Sequence, residues 1–231
     1  DLFIFPYDWR KDIYEIGGTL KLKIEEIQAQ TNSKKVDVIA HSMGGLVTKA
    51  YLVDSGEVSI DKFISIGTPH VGSPKSFKVI NFGDNLNASI LYGLIGLNSE
   101  RIKTISQNMP SIYQLLPSRS YPTYVYDLDD IDNNGIRGGL NYGETKDFLK
   151  NTDRNSFLID AADDFHKTID DVNPADYGVD TYNIVGCGTQ TLGKIFLVNR
   201  ETSGGVEYNI SFTNGDGTVP LISAKSIPAE N

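Results

Sequence analysis

One cysteine and three histidines among 231 residues close off several chemistries at once. A lone Cys187 cannot form an intrachain disulfide, and no cysteine-based metal site can be built from it. Long hydrophobic runs are missing too: every apolar stretch falls short of the roughly 20 residues that a membrane-crossing helix needs. Basic residues are in deficit, 21 Lys and Arg against 30 Asp and Glu, for a net charge of −9 and a pI of about 4.8. Nucleic acid is therefore an unsuitable partner, because phosphate recognition requires clustered cations. Adhesion to anionic membranes is disfavoured for the same reason, so any transient contact with a lipid interface would be hydrophobic. No basic, apolar leader opens the chain. With 39% hydrophobic residues and a mean hydropathy of −0.24, the composition is that of a soluble globular protein. Secreted and cytoplasmic settings fit equally. The length suits one domain, or one domain with a large insertion.

The first third alternates strand and helix. Leu2-Phe3-Ile4-Phe5-Pro6 reads as a short strand buried on both faces. An amphipathic helix over 11–30 follows, with Ile13, Ile16, Leu20, Ile24 and Ile27 on one side. A second strand is expected over 36–40, a helix over 44–53 and a third strand over 62–66. This rhythm predicts a mostly parallel sheet with right-handed crossovers and helices on both faces. The rhythm then stops. Residues 76–177 are irregular and rich in Asn, Asp, Ser and Tyr, far longer than a plain crossover needs, and are expected to form an inserted cap or lid. Helical patterning appears within them over 102–116. Core segments are accordingly 1–75 and 178–231, with strands resuming over 181–186, 195–198 and 206–212.

Two turns carry chemistry. Ala40-His41-Ser42-Met43-Gly44-Gly45 lies between an expected strand and an expected helix and has the small-x-Ser-x-Gly form of a nucleophile elbow. A sharp turn forces the Ser backbone into a sparsely populated conformation, and small neighbours avoid a clash across it. The result would be an exposed Ser42 hydroxyl, with the Met43 amide at a helix N-terminus aimed at a developing oxyanion. Late in the chain, Asn214-Gly215-Asp216-Gly217-Thr218-Val219-Pro220 follows a strand. The order Ser then Asp suits a triad in which Asp216 orients an imidazole, although Asn-Gly and Asp-Gly also mark ordinary hairpin turns. His41 is expected to be packed away from the hydroxyl.

These turns occur together with Tyr7-Asp8-Trp9-Arg10, Gly67-Thr68-Pro69-His70-Val71-Gly72-Ser73 and Tyr113-Gln114-Leu115-Leu116-Pro117-Ser118. In that order they resemble the lecithin:cholesterol acyltransferase-like lipases and, more broadly, the α/β-hydrolase lipases of bacteria. The resemblance implies a bacterial α/β-hydrolase with Ser42 as nucleophile, Asp216 as triad acid and a lid after Gly67-Thr68-Pro69. It also implies an oxyanion-loop strand before residue 1 and a catalytic histidine beyond Asp216. Neither is present, so the chain is expected to be truncated at both ends, with the base outside it. His166 and His70 are the candidates within it. The charged neighbours of His166 place it on a solvated helix face.

The implied function is that of a serine hydrolase of carboxylic esters, a lipase, phospholipase or lipid acyltransferase, working through an acyl-enzyme without cofactor or metal. The alternatives are an amidase or deacylase on the same fold, or a catalytically silent domain that binds lipid or a partner. Two lesser features remain. Asp130, Asp132 and Asn134 copy the first half of a calcium loop whose closing Glu is replaced by Asn141. Cys187 is expected to be a small buried residue, and Arg10 to pair with Asp8.

Overall fold

The computed structural model describes residues 1–56, 58–83, 99–131, 137–198 and 207–227. Helix α1 spans Ile13–Thr31. Asp12 caps it by accepting from the amides of Tyr14 and Glu15, and Asn32 ends it in the left-handed conformation. The apolar stripe read from the sequence is the buried one: Ile13, Ile16, Leu20 and Ile24 all lie in the core. Strand β1 (Val36–His41) leads into α2 (Met43–Asp54), and β2 (Ile60–Ile66) follows. β1 and β2 pair in parallel, and β2 pairs in parallel with β5 (Asp180–Ile184). The order β1-β2-β5 means that about 110 residues intervene between neighbouring strands β2 and β5.

The sheet is unevenly covered. Ala40, Phe63, Ser65 and Asn183 are buried, and α1 and α2 share a core cluster with Ala40, Ile60 and Phe63. Two rows of paired residues line the other face: Ile39 beside Ile64 beside Tyr182, and His41 beside Ile66 beside Ile184. Ile39 is 66% exposed and Ile184 54%, so among the described residues the helical layer lies on one face. The expectation for His41 is corrected: it is exposed, because strand alternation turns it opposite to Ala40. A second correction concerns the chain start. Residues 1–8 are not in a strand, and Leu2 (87%) and Ile4 (77%) face solvent across a groove of about 770 Å³ that separates them from β1.

A second core forms between the segment after β2 and the strands after β5. Helices α3 (Pro74–Phe82), α4 (Ser99–Ser106) and α5 (Pro110–Gln114) come first. The single helix expected over 102–116 is two, because Pro110 holds Met109 extended and lacks an amide to continue the ladder. Strands β3 (Val125–Ile131) and β4 (Arg137–Leu140) form a hairpin, and α6 (Tyr142–Asn151) and α7 (Ser156–Ile169) complete the segment. β3 then pairs in parallel with β6 (Thr189–Val198), whose antiparallel partner is β7 (Glu207–Gly215). The second sheet thus has the order β4-β3-β6-β7 and joins strands from both sides of residue 177. Phe77, Tyr124, Phe148, Val125, Ile195 and Leu197 fill the core beneath it, with the Phe77 ring against those of Tyr124 and Phe148. A short helix α8 (Leu221–Ala224) follows β7. Of the half calcium loop, Asp132 and Asn134 lie outside the described residues. No cluster of three metal-ligating side chains occurs among the described residues. No described helix is long and apolar enough to cross a membrane.

Candidate active site

Ser42 sits between the last residue of β1 and the first of α2, at φ 53° and ψ −127°. An L-residue reaches that region only under strain, of order 1–3 kcal/mol. The surrounding structure holds it there: the Ser42 amide donates to the Ile66 carbonyl at 2.9 Å, extending the β1–β2 ladder through the turn. A serine at a helix N-cap normally spends its hydroxyl on the first turn, but among the described residues Ser42 makes no side-chain capping bond. Met43 opens α2, so its amide belongs to the group of helix N-terminal donors that lack an intrahelical acceptor.

Asp216 follows β7 directly. Its Oδ1 accepts from the amides of Thr218 at 2.8 Å and Val219 at 2.7 Å, which closes the turn around the carboxylate. Gly217 donates to Thr191 Oγ1 at 2.8 Å, and the Asp216 amide donates to the Val219 carbonyl. Two glycines make room for the carboxylate. A Cβ on Gly186 would lie 2.5 Å from Asp216 Cβ, and one on Gly67 would lie 3.0 Å from Asp216 Oδ2. The position of Gly67 brings the two turns together, since it follows Ile66, the acceptor of the Ser42 amide. Ser42 and Asp216 thus flank the end of β2 from opposite sides.

Residues 67–73 tie this arrangement together. Thr68 is fully buried against Gly45 in the first turn of α2. The Val71 amide donates to Ser223 Oγ at 3.2 Å, and Ser73 Oγ donates to the Thr218 carbonyl at 3.0 Å. His70, at 0% exposure, lies beneath, with its Nε2 3.2 Å from Ser65 Oγ. Burial pushes its pKa down to about 3, and the nearby Lys49 ammonium adds to the effect, against a smaller opposing contribution from Asn183. His70 is therefore neutral at pH 7. Lys49 is itself buried in α2, where desolvation lowers its pKa to about 8 despite Asp170 and Asp171, and its ammonium donates to the Asp170 carbonyl.

His166 is buried, contrary to the solvated position expected from its neighbours. The inward side of α7 consists of Leu158, Ile159, Ala162, Asp163, Phe165, His166 and Ile169, and the 3.6-residue period carries His166 onto it while Asp164 and Lys167 stay outside. Its Nδ1 lies 2.8 Å from Asp170 Oδ1, and its ring borders a cavity of about 20 Å³ shared with Tyr142 and Lys146. Asp163, one turn before Lys167, gathers Lys146, Tyr142, Lys167 and Arg119. Burial raises its pKa, but these partners outweigh burial and hold it well below the usual carboxylate range. The two histidine candidates thus address Ser65 and Asp170. Cys187, expected to be buried, is exposed just beyond β5. Arg10 pairs with Asp8 through Nε at 2.8 Å and Nη2 at 2.7 Å, and the bonds to Arg10 draw the Asp8 pKa down to about 2.

Sequence reading passed over Ser73 and the buried Lys49. Ser73 did carry a signal, since a serine directly before a proline marks a helix start, and Ser73 does cap α3. The second contact of Ser73, across 145 residues of chain, leaves no local trace.

With this geometry in view, the lecithin:cholesterol acyltransferase family pattern matches residues 1–209. The chain belongs to that family. It is 28% identical to human lysosomal phospholipase A and acyltransferase, over 95% of this chain and 51% of that protein. With the chicken phosphatidylcholine-sterol acyltransferase it shares 26% identity, over 93% and 50%. A phospholipase A(1) from Arabidopsis thaliana is 27% identical, over 96% and 58%. The chain therefore spans about half the length of the curated relatives it matches. These relatives are eukaryotic and lend no support to the bacterial source expected from the sequence. Among solved structures, a chain of the Tle4–Tli4 complex superposes with a TM-score of 0.54 at 16% identity, covering 92% of this chain and 53% of that one. The fold of this family member is that of an α/β-hydrolase.

Proposed function

We propose that this polypeptide is part of a serine hydrolase or acyltransferase acting on carboxylic esters of lipids, with Ser42 as nucleophile. The observation that carries the reading is the strained Ser42 backbone between β1 and α2, in a chain of the lecithin:cholesterol acyltransferase family. Strain of this kind persists only where the surroundings over-determine it, and it concentrates at functional sites. In the proposed reaction Ser42 Oγ attacks the acyl carbonyl and its proton passes to an imidazole. The Met43 amide holds half of the developing oxyanion. Asp216 orients the imidazole and stabilises its cation; its Oδ1 is engaged by Thr218 and Val219, which leaves Oδ2 for this role. The alkoxy group leaves with the proton, and the acyl-enzyme passes to water or to an alcohol. Residues 76–177 act as the cap over the cleft. We assign the base to a histidine outside these 231 residues, because His70 and His166 are enclosed and engaged elsewhere.

The test is hydrolysis of short and long p-nitrophenyl esters by this chain, by the longer product of its gene, and by the longer product carrying Ser42→Ala. Activity in the longer product that Ser42→Ala abolishes is the expected result. Activity unchanged by Ser42→Ala would overturn the reading, and activity in this chain itself would return the base to His70 or His166. No ester hydrolysis in any version would favour a silent binding domain or an amide substrate.

A further inference from the structure

We propose that Ser73 is a positioning residue that couples the cap to the triad acid; the proposal rests on the assignment of Asp216 made above. The Ser73 hydroxyl serves two elements at once. It accepts from the Lys75 amide at 3.4 Å as the N-cap of α3, and it donates to the Thr218 carbonyl at 3.0 Å. The peptide unit that carries this carbonyl also carries the Val219 amide, which donates to Asp216 Oδ1 at 2.7 Å. A single peptide unit therefore separates the start of the cap from the carboxylate.

The contact is built to be stiff. Ser73 is buried, its amide donates to the Leu115 carbonyl at 2.9 Å, and Ser76 Oγ donates to the same carbonyl at 2.8 Å. α3 and α5 thus share one anchor with the Ser73 turn. The Val71 amide adds a second link to the acid segment through the fully buried Ser223 hydroxyl. Removing one of two links leaves the segment folded but frees the Thr218 peptide to rotate, and with it one of the two amides that orient Asp216. Tilting of α3 when the cap opens or closes around a substrate would act on the carboxylate through this hydroxyl. The hydroxyl is necessary because it must accept and donate at once, which a methyl group or a carboxylate cannot do.

The experiment compares wild type with Ser73→Ala, Ser73→Gly and Ser73→Thr. Glycine is a well-tolerated N-cap residue, far better than alanine, so Ser73→Gly loses the donor while sparing the helix start. Amide hydrogen exchange of Thr218 and Val219 is read in this chain, and kcat and KM are read in the longer gene product. Loss of one hydrogen bond predicts about tenfold faster exchange at those two amides and about a tenfold lower kcat with KM unchanged, in both Ala and Gly variants, with recovery in Ser73→Thr. Unchanged exchange in Ser73→Gly would overturn the tether. So would a kcat loss confined to Ser73→Ala, which would make Ser73 a helix cap alone. If no version hydrolyses esters, the functional reading fails, and the exchange result still decides whether Ser73 holds the acid turn.

Discussion

Replacing His70 by Gln should remove a defined part of the acid sensitivity of this fold. His70 is buried beneath the 67–73 loop, and burial together with Lys49 lowers its pKa to about 3 from an ordinary value of 6.5. The neutral form is the one the fold accepts. As pH falls through 6.5 the unfolded chain takes up the proton first, so the stability contribution is complete above 6.5. It is lost progressively as pH falls toward about 3. Each pH unit below 6.5 costs about 1.4 kcal/mol, so lowering the pH from 7 to 5 costs about 2 kcal/mol through this one group. Carboxylates held low, such as Asp163 and Asp160, lose their contributions only near and below the ordinary carboxylate range. Their contributions are nearly constant between pH 5 and 7, and all other titratable groups are common to both proteins. Urea unfolding at pH 7, 6 and 5 measures the difference. Wild type should lose about 2 kcal/mol more than His70→Gln over that interval, whatever the absolute stability of the variant. An equal loss in both would show that water or a proton reaches His70 in the folded state, and the reasoning from burial would fail.

Three further outcomes are expected. Ser42→Gly, which relieves the positive φ, should raise unfolding stability by about 1 kcal/mol while ending acyl-enzyme formation; a lower melting temperature than wild type would contradict the strain. Gly186→Ala places a methyl group 2.5 Å from Asp216 Cβ, so in the longer gene product kcat should fall by about 100-fold through displacement of the acid, with circular dichroism unchanged. Phe77→Ala, which empties a fully buried site between Tyr124 and Phe148, should cost about 3–5 kcal/mol in chemical denaturation. A loss under 1 kcal/mol would mean that this second core is not tightly packed.

Local pattern was sufficient wherever one short segment determined its own environment. The apolar stripe of α1, the strand–turn–helix around Ser42 and the Asp216 turn are all contained within a few residues, and each forms where its spacing indicates. The two turns were legible because each needs particular small residues in fixed order. Long-range pairing decided everything else. Leu2 and Ile4 have the composition of a buried strand, yet a strand needs a hydrogen-bonded neighbour, and a groove lies between them and β1. The charged neighbours of His166 describe the outer side of α7, while the helical period and packing on Phe165 and Ala162 set which side His166 occupies. The joining of β3 to β6, the depressed pKa of His70 and the contact of Ser73 with Thr218 all depend on segments that meet only after the chain has folded. Sequence thus determined the family, the fold class and the local form of the turns at Ser42 and Asp216, because each is encoded in contiguous residues. Tertiary structure alone decided which faces are covered, which histidines are enclosed and what holds the acid in place, because burial and charge belong to the assembled neighbours and not to the residue.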